Sequence, residues 1–116
     1  MTEKYNKLVT SIKKSGKDIH DSLTNNKCDR LHMAIGISGE AGELLDAVKK
    51  HVIYEQELDI ENVIEELGDL EFYMEGLRQA LCLDRETILN ANYDKLMVRY
   101  NGKYSNSDAQ ERKDKV

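Results

Sequence analysis

Two segments of the chain carry pairs of acidic residues at the same spacing. Glu40 and Glu43 lie in the segment GEAGE, and Glu66 and Asp69 lie in the segment EELGD. Residues three apart on a helix share a face, at about 100° per residue. Each pair falls on the same shoulder of the apolar stripe of its segment. If two helices pack through those stripes, four carboxylates converge on one side of the seam.

Four carboxylates placed together repel one another unless some are protonated or a cation lies among them. Ligands that are all oxygen suit Mg²⁺, Mn²⁺ or Ca²⁺ better than zinc or copper. A di-iron bundle would use Glu-x-x-His on two helices, and no histidine of this chain has a glutamate three positions before it. The acids therefore predict a site for a hard divalent cation, which can be Mg²⁺, Mn²⁺ or Ca²⁺. The alternative is that they are ordinary solvated side chains.

Glycines surround both acid pairs, which is unusual for helical segments. Gly36 and Gly39 precede the first pair, Gly42 lies inside it, and Gly68 lies inside the second. Each interior glycine costs a helix about 1 kcal/mol relative to alanine. Small residues let helix backbones approach closely and leave space beside the carboxylates, which is consistent with a binding site.

A cationic group lies near the end of the last predicted helix. Asn92, Lys95 and Arg99 are spaced by three and four residues, so they share one helical face. Two fixed cations of this kind can bind phosphate oxygens and stabilise negative charge. The alternative is a pair of surface cations placed where the helix dipole favours them.

Apolar residues at helical spacing predict four helices that would position these groups. We expect Gly16 to close the first helix, a turn at Asn25-Asn26, and Gly102 to end the fourth. The expected helices run from Thr2 to about Lys14, from about Asp29 to Ile53, from the cap Asp59 to about Cys82, and from the cap Asp84 to about Tyr100.

The composition fits a small helical protein with an acidic surface. The chain has 116 residues, no proline, no tryptophan and a net charge of −5, which predicts one domain over residues 1–105 and a polar tail over 106–116. An acidic chain is not expected to bind nucleic acid. Neither a signal peptide nor an apolar run of about 20 residues occurs, so we expect no membrane association. Cys28 and Cys82 match no zinc spacing and indicate reduced thiols in a cytoplasmic protein.

The acid pairs stand in an order that resembles a known signature. Glu40-Ala-Gly-Glu43, 22 intervening residues and Glu66-Leu-Gly-Asp69 resemble the E-x-x-E…E-x-x-D motif of MazG-like nucleotide pyrophosphohydrolases, of the all-α NTP pyrophosphatase superfamily. The segment NANYDKLMVRYNGKYS is similar to the fourth helix of that family. Gly39 and Asn62 depart from the pattern, since many members have a glutamate and some a lysine at these places.

This resemblance implies an all-α, four-helix bundle-like protomer that assembles into a homodimer or a dimer of dimers. It also implies Mg²⁺-dependent hydrolysis of a nucleoside or deoxynucleoside triphosphate to the monophosphate and pyrophosphate, in control or house-cleaning of the nucleotide pool. The four acids would be the metal ligands and catalytic residues, with Glu40 or Glu43 as candidate general base. Asn92, Lys95 and Arg99 would bind the substrate phosphates.

Two other functions remain open from the sequence. One is a dUTPase-like enzyme of the same superfamily, and the other is a non-catalytic helical module whose acids bind a basic partner or a structural cation. Tyr73 lies on the acid-bearing side of its helix, where it either contacts substrate or packs against a neighbour. The residues that would select the base are not identified by any motif.

Overall fold

The computed structural model describes residues 1–100, which form five helices joined by short connections. No strand occurs in this part of the chain, so the predicted all-α class is confirmed. Gly102 and the tail lie outside the described residues. The helices are α1 (Thr2–Ile12), α2 (Gly16–Ser22), α3 (Asn25–Ile53), α4 (Ile60–Ala80) and α5 (Arg85–Tyr100).

The short helix α2 was not predicted, and the role expected for Gly16 was wrong. The first helix ends at Ile12, and Gly16 begins α2 instead of closing α1. The cause is Ser15, whose hydroxyl accepts a hydrogen bond from the backbone N–H of Asp18 at 3.1 Å. A serine at this position satisfies a free N–H group at a helix start, and it therefore starts a helix where the sequence analysis placed none.

Helix α3 begins four residues earlier than expected, so the predicted turn at Asn25-Asn26 was also wrong. Thr24 is the N-cap, and its hydroxyl accepts a hydrogen bond from the N–H of Lys27 at 3.1 Å. The two asparagines occupy the first turn of the helix, where residues that bond to nearby backbone groups are tolerated. The acid-bearing helix is consequently 29 residues long.

The two acidic caps predicted from the sequence are confirmed. Asp59 accepts a hydrogen bond from the N–H of Asn62 at 3.1 Å, and Asp84 accepts one from the N–H of Thr87 at 2.7 Å. Hydrogen bonds from the side chain and the backbone of Thr87 lower the pKa of Asp84. These caps fix where α4 and α5 begin, and the short connection before α4 makes it antiparallel to α3.

Helices α3 and α4 pack closely through two glycines. A methyl group on Gly36 would overlap the ring of Tyr73, and one on Gly76 would overlap the sulfur of Met33. Met33 lies three residues before Gly36 on α3, and its partner Gly76 lies three residues after Tyr73 on α4. These two contacts fix the antiparallel register. The close approach expected near the acids therefore comes from Gly36 and from Gly76, a residue that the sequence analysis did not single out.

Three other glycines have a different role from close packing. In the described part of the chain, nothing lies within 4 Å of the place where a methyl group on Gly39, Gly42 or Gly68 would stand. Their presence is therefore not explained by contacts within the protomer. They leave free space beside both acid pairs, as the sequence analysis expected.

A closed four-helix bundle is not formed by the described residues of one chain. Of the described helices, only α3 and α4 pack against each other along their length. Ala47 and Glu66 are the only buried residues among the first hundred. The apolar side chains of α1, such as Leu8 and Ile12, are exposed. The sequence led us to expect a bundle-like protomer. The described residues of one chain instead form a packed pair of helices, α3 and α4, with uncovered apolar surface.

None of the described helices is long and apolar enough to cross a membrane. Both cysteines are exposed free thiols.

Candidate metal and phosphate site

Three of the four predicted acids meet across the seam between α3 and α4. Glu40 comes from α3, and Glu66 and Asp69 come from α4. Each offers a carboxylate oxygen within 4.8 Å of the other two. Helical spacing places Glu66 and Asp69 on one face of α4, and the antiparallel register places Glu40 opposite them. The convergence expected from the sequence is present for these three residues.

Glu66 is the most buried member of the cluster. It is 8% exposed, and its Oε2 atom has no hydrogen-bond partner within the described part of the chain. Leaving a carboxylate oxygen away from water without a partner is costly, and such atoms are normally hydrogen-bonded or bound to a cation. The buried oxygen is therefore an independent indication that the cluster takes a positively charged ligand.

The acids change each other's protonation. The pKa of Glu66 is raised to about 7, first by hydrogen bonding with Glu40 and then by burial. The negative charges of Glu40, Glu43 and Asp69 raise it further. Near neutral pH the cluster relieves its repulsion by holding a proton on Glu66. A divalent cation that displaces this proton would relieve the same repulsion.

The donor set fits a hard divalent cation. All three side chains present carboxylate oxygens, and the residues of the cluster include no imidazole or thiol. Mg²⁺ and Mn²⁺ prefer such ligands and are commonly held by a few carboxylates together with water or phosphate oxygens. Glu40, Glu66 and Asp69 are thus the residues that would hold the ion.

Glu43 lies outside the group of three. It is exposed on α3, yet its charge is close enough to raise the pKa of Glu66. One turn of helix separates it from Glu40. Its assignment as a fourth ligand stays a prediction.

The predicted phosphate-binding residues all lie on α5. Lys95 and Arg99 are half-buried, and Asn92 is exposed. The guanidinium of Arg99 also lies 5.7 Å from the centre of the Tyr100 ring. Because α5 does not pack along α3 or α4, the approach of these three side chains to the carboxylates stays a prediction.

An aromatic group lies one helical turn from the carboxylates. Tyr73 packs against Gly36, and its ring contacts His32 and Phe72 edge-on, with centroids 6.3 Å and 5.2 Å away. Tyr73 therefore packs against a neighbour, one of the two roles left open by the sequence. Phe72 was not singled out, although its spacing of three residues from Asp69 places it on the same side of α4.

No family model, curated protein or solved structure matches this chain. The resemblance to MazG-like pyrophosphohydrolases therefore rests on the motif residues.

Proposed function

We propose that the protein is a Mg²⁺-dependent nucleotide pyrophosphohydrolase, which cleaves a nucleoside or deoxynucleoside triphosphate to the monophosphate and pyrophosphate. The observation that carries this proposal is the meeting of Glu40, Glu66 and Asp69 within 4.8 Å. The unpartnered, buried oxygen of Glu66 supports a cation at that place. The order of the acids along the chain supports the reaction class.

The chain's own residues would act in three ways. Glu40, Glu66 and Asp69 hold the cation, which, when bound, neutralises the carboxylates and polarises phosphoryl oxygens. Either Glu40 or Glu43 accepts a proton from the attacking water, since both are carboxylates on the more exposed helix of the pair. Lys95 and Arg99 stabilise the charge that develops on the departing pyrophosphate.

Analysis of the reaction products tests this proposal. The purified protein is incubated with each common nucleoside and deoxynucleoside triphosphate and Mg²⁺, and the products are separated by ion-exchange chromatography. We expect equal amounts of monophosphate and pyrophosphate, and none without the metal. Accumulation of diphosphate with free phosphate would show that a different bond is cleaved and would reject the proposal.

A matched pair of variants ties the activity to the cluster. Glu66→Gln keeps the size of the side chain and removes a charge and a ligand, so we expect a loss of at least about 100-fold in kcat. Glu65→Gln changes the exposed neighbour of Glu66 and should leave kcat unchanged. If no triphosphate is cleaved by the wild-type protein, a non-catalytic helical module becomes the better account.

A further inference from the structure

A groove lies beside the α3–α4 seam, beyond the carboxylates and the Tyr73–Gly36 contact. Its volume is about 640 Å³, and it is lined by Met33 and Gly76, where the helices touch, and by Phe72 on one side. Gly76 lies seven residues from Asp69, and Met33 lies seven residues from Glu40. Seven residues are about two turns, or roughly 10 Å of helix, so the groove continues the same face of the helix pair.

The groove offers an aromatic surface. Phe72 is 66% exposed although it lines a concave site. The ring of Tyr73 meets it at an interplanar angle of 85°, an edge-to-face contact that supports the Phe72 ring, and most of the surface of Phe72 stays accessible to a ligand. Nucleobases stack on exposed aromatic rings of this kind regardless of sequence.

The far end of the groove presents hydrogen-bond acceptors. Gln79 directs its amide nitrogen at Glu75, with 3.5 Å between Nε2 and Oε2, so its amide oxygen points away from that pair. The other oxygen of Glu75 accepts a hydrogen bond from Arg78 at 3.2 Å. Asp29, an exposed carboxylate, completes this end of the groove. A ligand that donates hydrogen bonds therefore suits this end of the groove.

We infer that this groove is the nucleobase subsite of the enzyme, and that it selects bases with an exocyclic amino group over bases without one. The inference rests on the proposed function. Cytosine, adenine and guanine carry an exocyclic amino group that can donate to Asp29 and Gln79, whereas thymine and uracil offer only the ring N3–H, with a carbonyl oxygen on either side of it. Leaving a donor or acceptor unpaired at such a site weakens binding of the wrong ligand. The sugar and the phosphates of the substrate would span the roughly 10 Å of helix between the groove and the carboxylates.

Nuclear magnetic resonance of the full-length protein tests base selection without relying on turnover. The backbone amide of Gly76 is followed while dCMP or dTMP is added in the presence of Mg²⁺. We expect dCMP to shift this signal with an affinity roughly ten-fold higher than that of dTMP. In Phe72→Ala, the affinity for dCMP should fall roughly ten-fold because stacking is lost. The control Ile64→Ala changes another exposed apolar residue of α4, 64% exposed and outside the groove, and should leave the affinity unchanged.

Several outcomes would overturn the inference. Equal affinities for dCMP and dTMP would remove base selection, and a Gly76 signal that no nucleotide shifts would remove the subsite. A Phe72→Ala variant that binds nucleotides normally but lowers the mass of the assembly would assign the groove to contact with a second copy of the chain. The parallel assay of dCTP and dTTP hydrolysis separates the two proposals. Cleavage of both at equal kcat/KM rejects only base selection, whereas selective binding without any cleavage rejects only the enzymatic function.

Discussion

At the scale of single residues, Glu66 connects the sequence pattern to the chemistry. It is the carboxylate that the packing of α3 and α4 places furthest from water. Its pKa of about 7 arises from Glu40 first, then from burial and the other acids. A carboxyl group that titrates near neutral pH and lacks a partner for Oε2 can exchange a proton for a metal ion.

This pKa predicts a specific dependence of stability on pH in the metal-free protein. Between the ordinary pKa of 4.5 and the native value of about 7, the folded protein holds a proton on Glu66 that the unfolded chain has lost. The contribution of Glu66 to the free energy of unfolding is therefore fully present below pH 4.5 and is lost as pH rises through about 7. We expect the melting temperature of the wild type to fall between about pH 5 and about pH 8 by more than that of Glu66→Gln.

Glu65→Gln provides the control for this comparison, because its side chain is exposed one residue away. Its melting profile should follow that of the wild type. If the melting temperatures of the wild type and Glu66→Gln change with pH in the same way, Glu66 is not the group whose titration alters stability.

At the scale of the helices, the glycines separate into two classes with opposite expected effects. Gly36→Ala would force a methyl group into the Tyr73 ring, and overpacking of this kind costs roughly 1–3 kcal/mol. Gly39→Ala meets open space within the protomer, so the helix should gain about 1 kcal/mol. Urea unfolding of the two variants measures both changes.

The same pair tests why Gly39 is present. If the open space beside Glu40 serves substrate, Gly39→Ala should be more stable and less active than the wild type. A Gly36→Ala variant as stable as the wild type would contradict the packing of Tyr73 on Gly36.

The turn between α4 and α5 contains a residue in a conformation suited to glycine. Cys82 has a φ of 55°, and the N–H of Leu83 donates to the carbonyl of Arg78 at 2.9 Å. The N–H of Cys82 donates to Gln79 at 3.2 Å, which completes a Schellman motif. Cys82→Gly should therefore stabilise the protein by about 1 kcal/mol.

The other cysteine supplies a matched control for this prediction. Cys28 lies within α3 and is also exposed, so Cys28→Gly should destabilise the protein, by roughly 0.3 kcal/mol, because glycine is a poorer helix former than cysteine. Thermal denaturation distinguishes the two. Destabilisation by both substitutions would mean that the turn does not require a left-handed residue.

The sequence predicted the parts of the structure that depend on local spacing. The caps Asp59 and Asp84 were predictable because each bonds to a backbone group three residues away. The convergence of Glu40 and Glu66 was predictable because each acid lies on the same side of the apolar stripe of its helix. The contact of Gly76 with Met33 was not predictable, because it depends on the register between two helices.

At the scale of the whole molecule, the single chain leaves much apolar surface uncovered. Leu8 and Ile12 of α1, together with Leu45 and Val52 of α3, are exposed. Exposed apolar surface of this extent is typical of chains that assemble. Light scattering at micromolar concentration should give a mass of two or four times the 13.3 kDa of one chain. A mass of one chain throughout that range would contradict the assembly.

Calorimetric titration with Mg²⁺ in the absence of nucleotide is the decisive test of the proposed metal site. We expect the wild-type protein to bind Mg²⁺ with release of a proton near neutral pH, since the ion displaces the proton of Glu66. Mg²⁺ binding should weaken as pH falls below about 7. It should also be at least about 10-fold weaker in Glu66→Gln than in the wild type. Glu65→Gln should bind as the wild type does. Equal Mg²⁺ affinity in the wild type and Glu66→Gln, with no proton released, would show that the three carboxylates do not form a metal site.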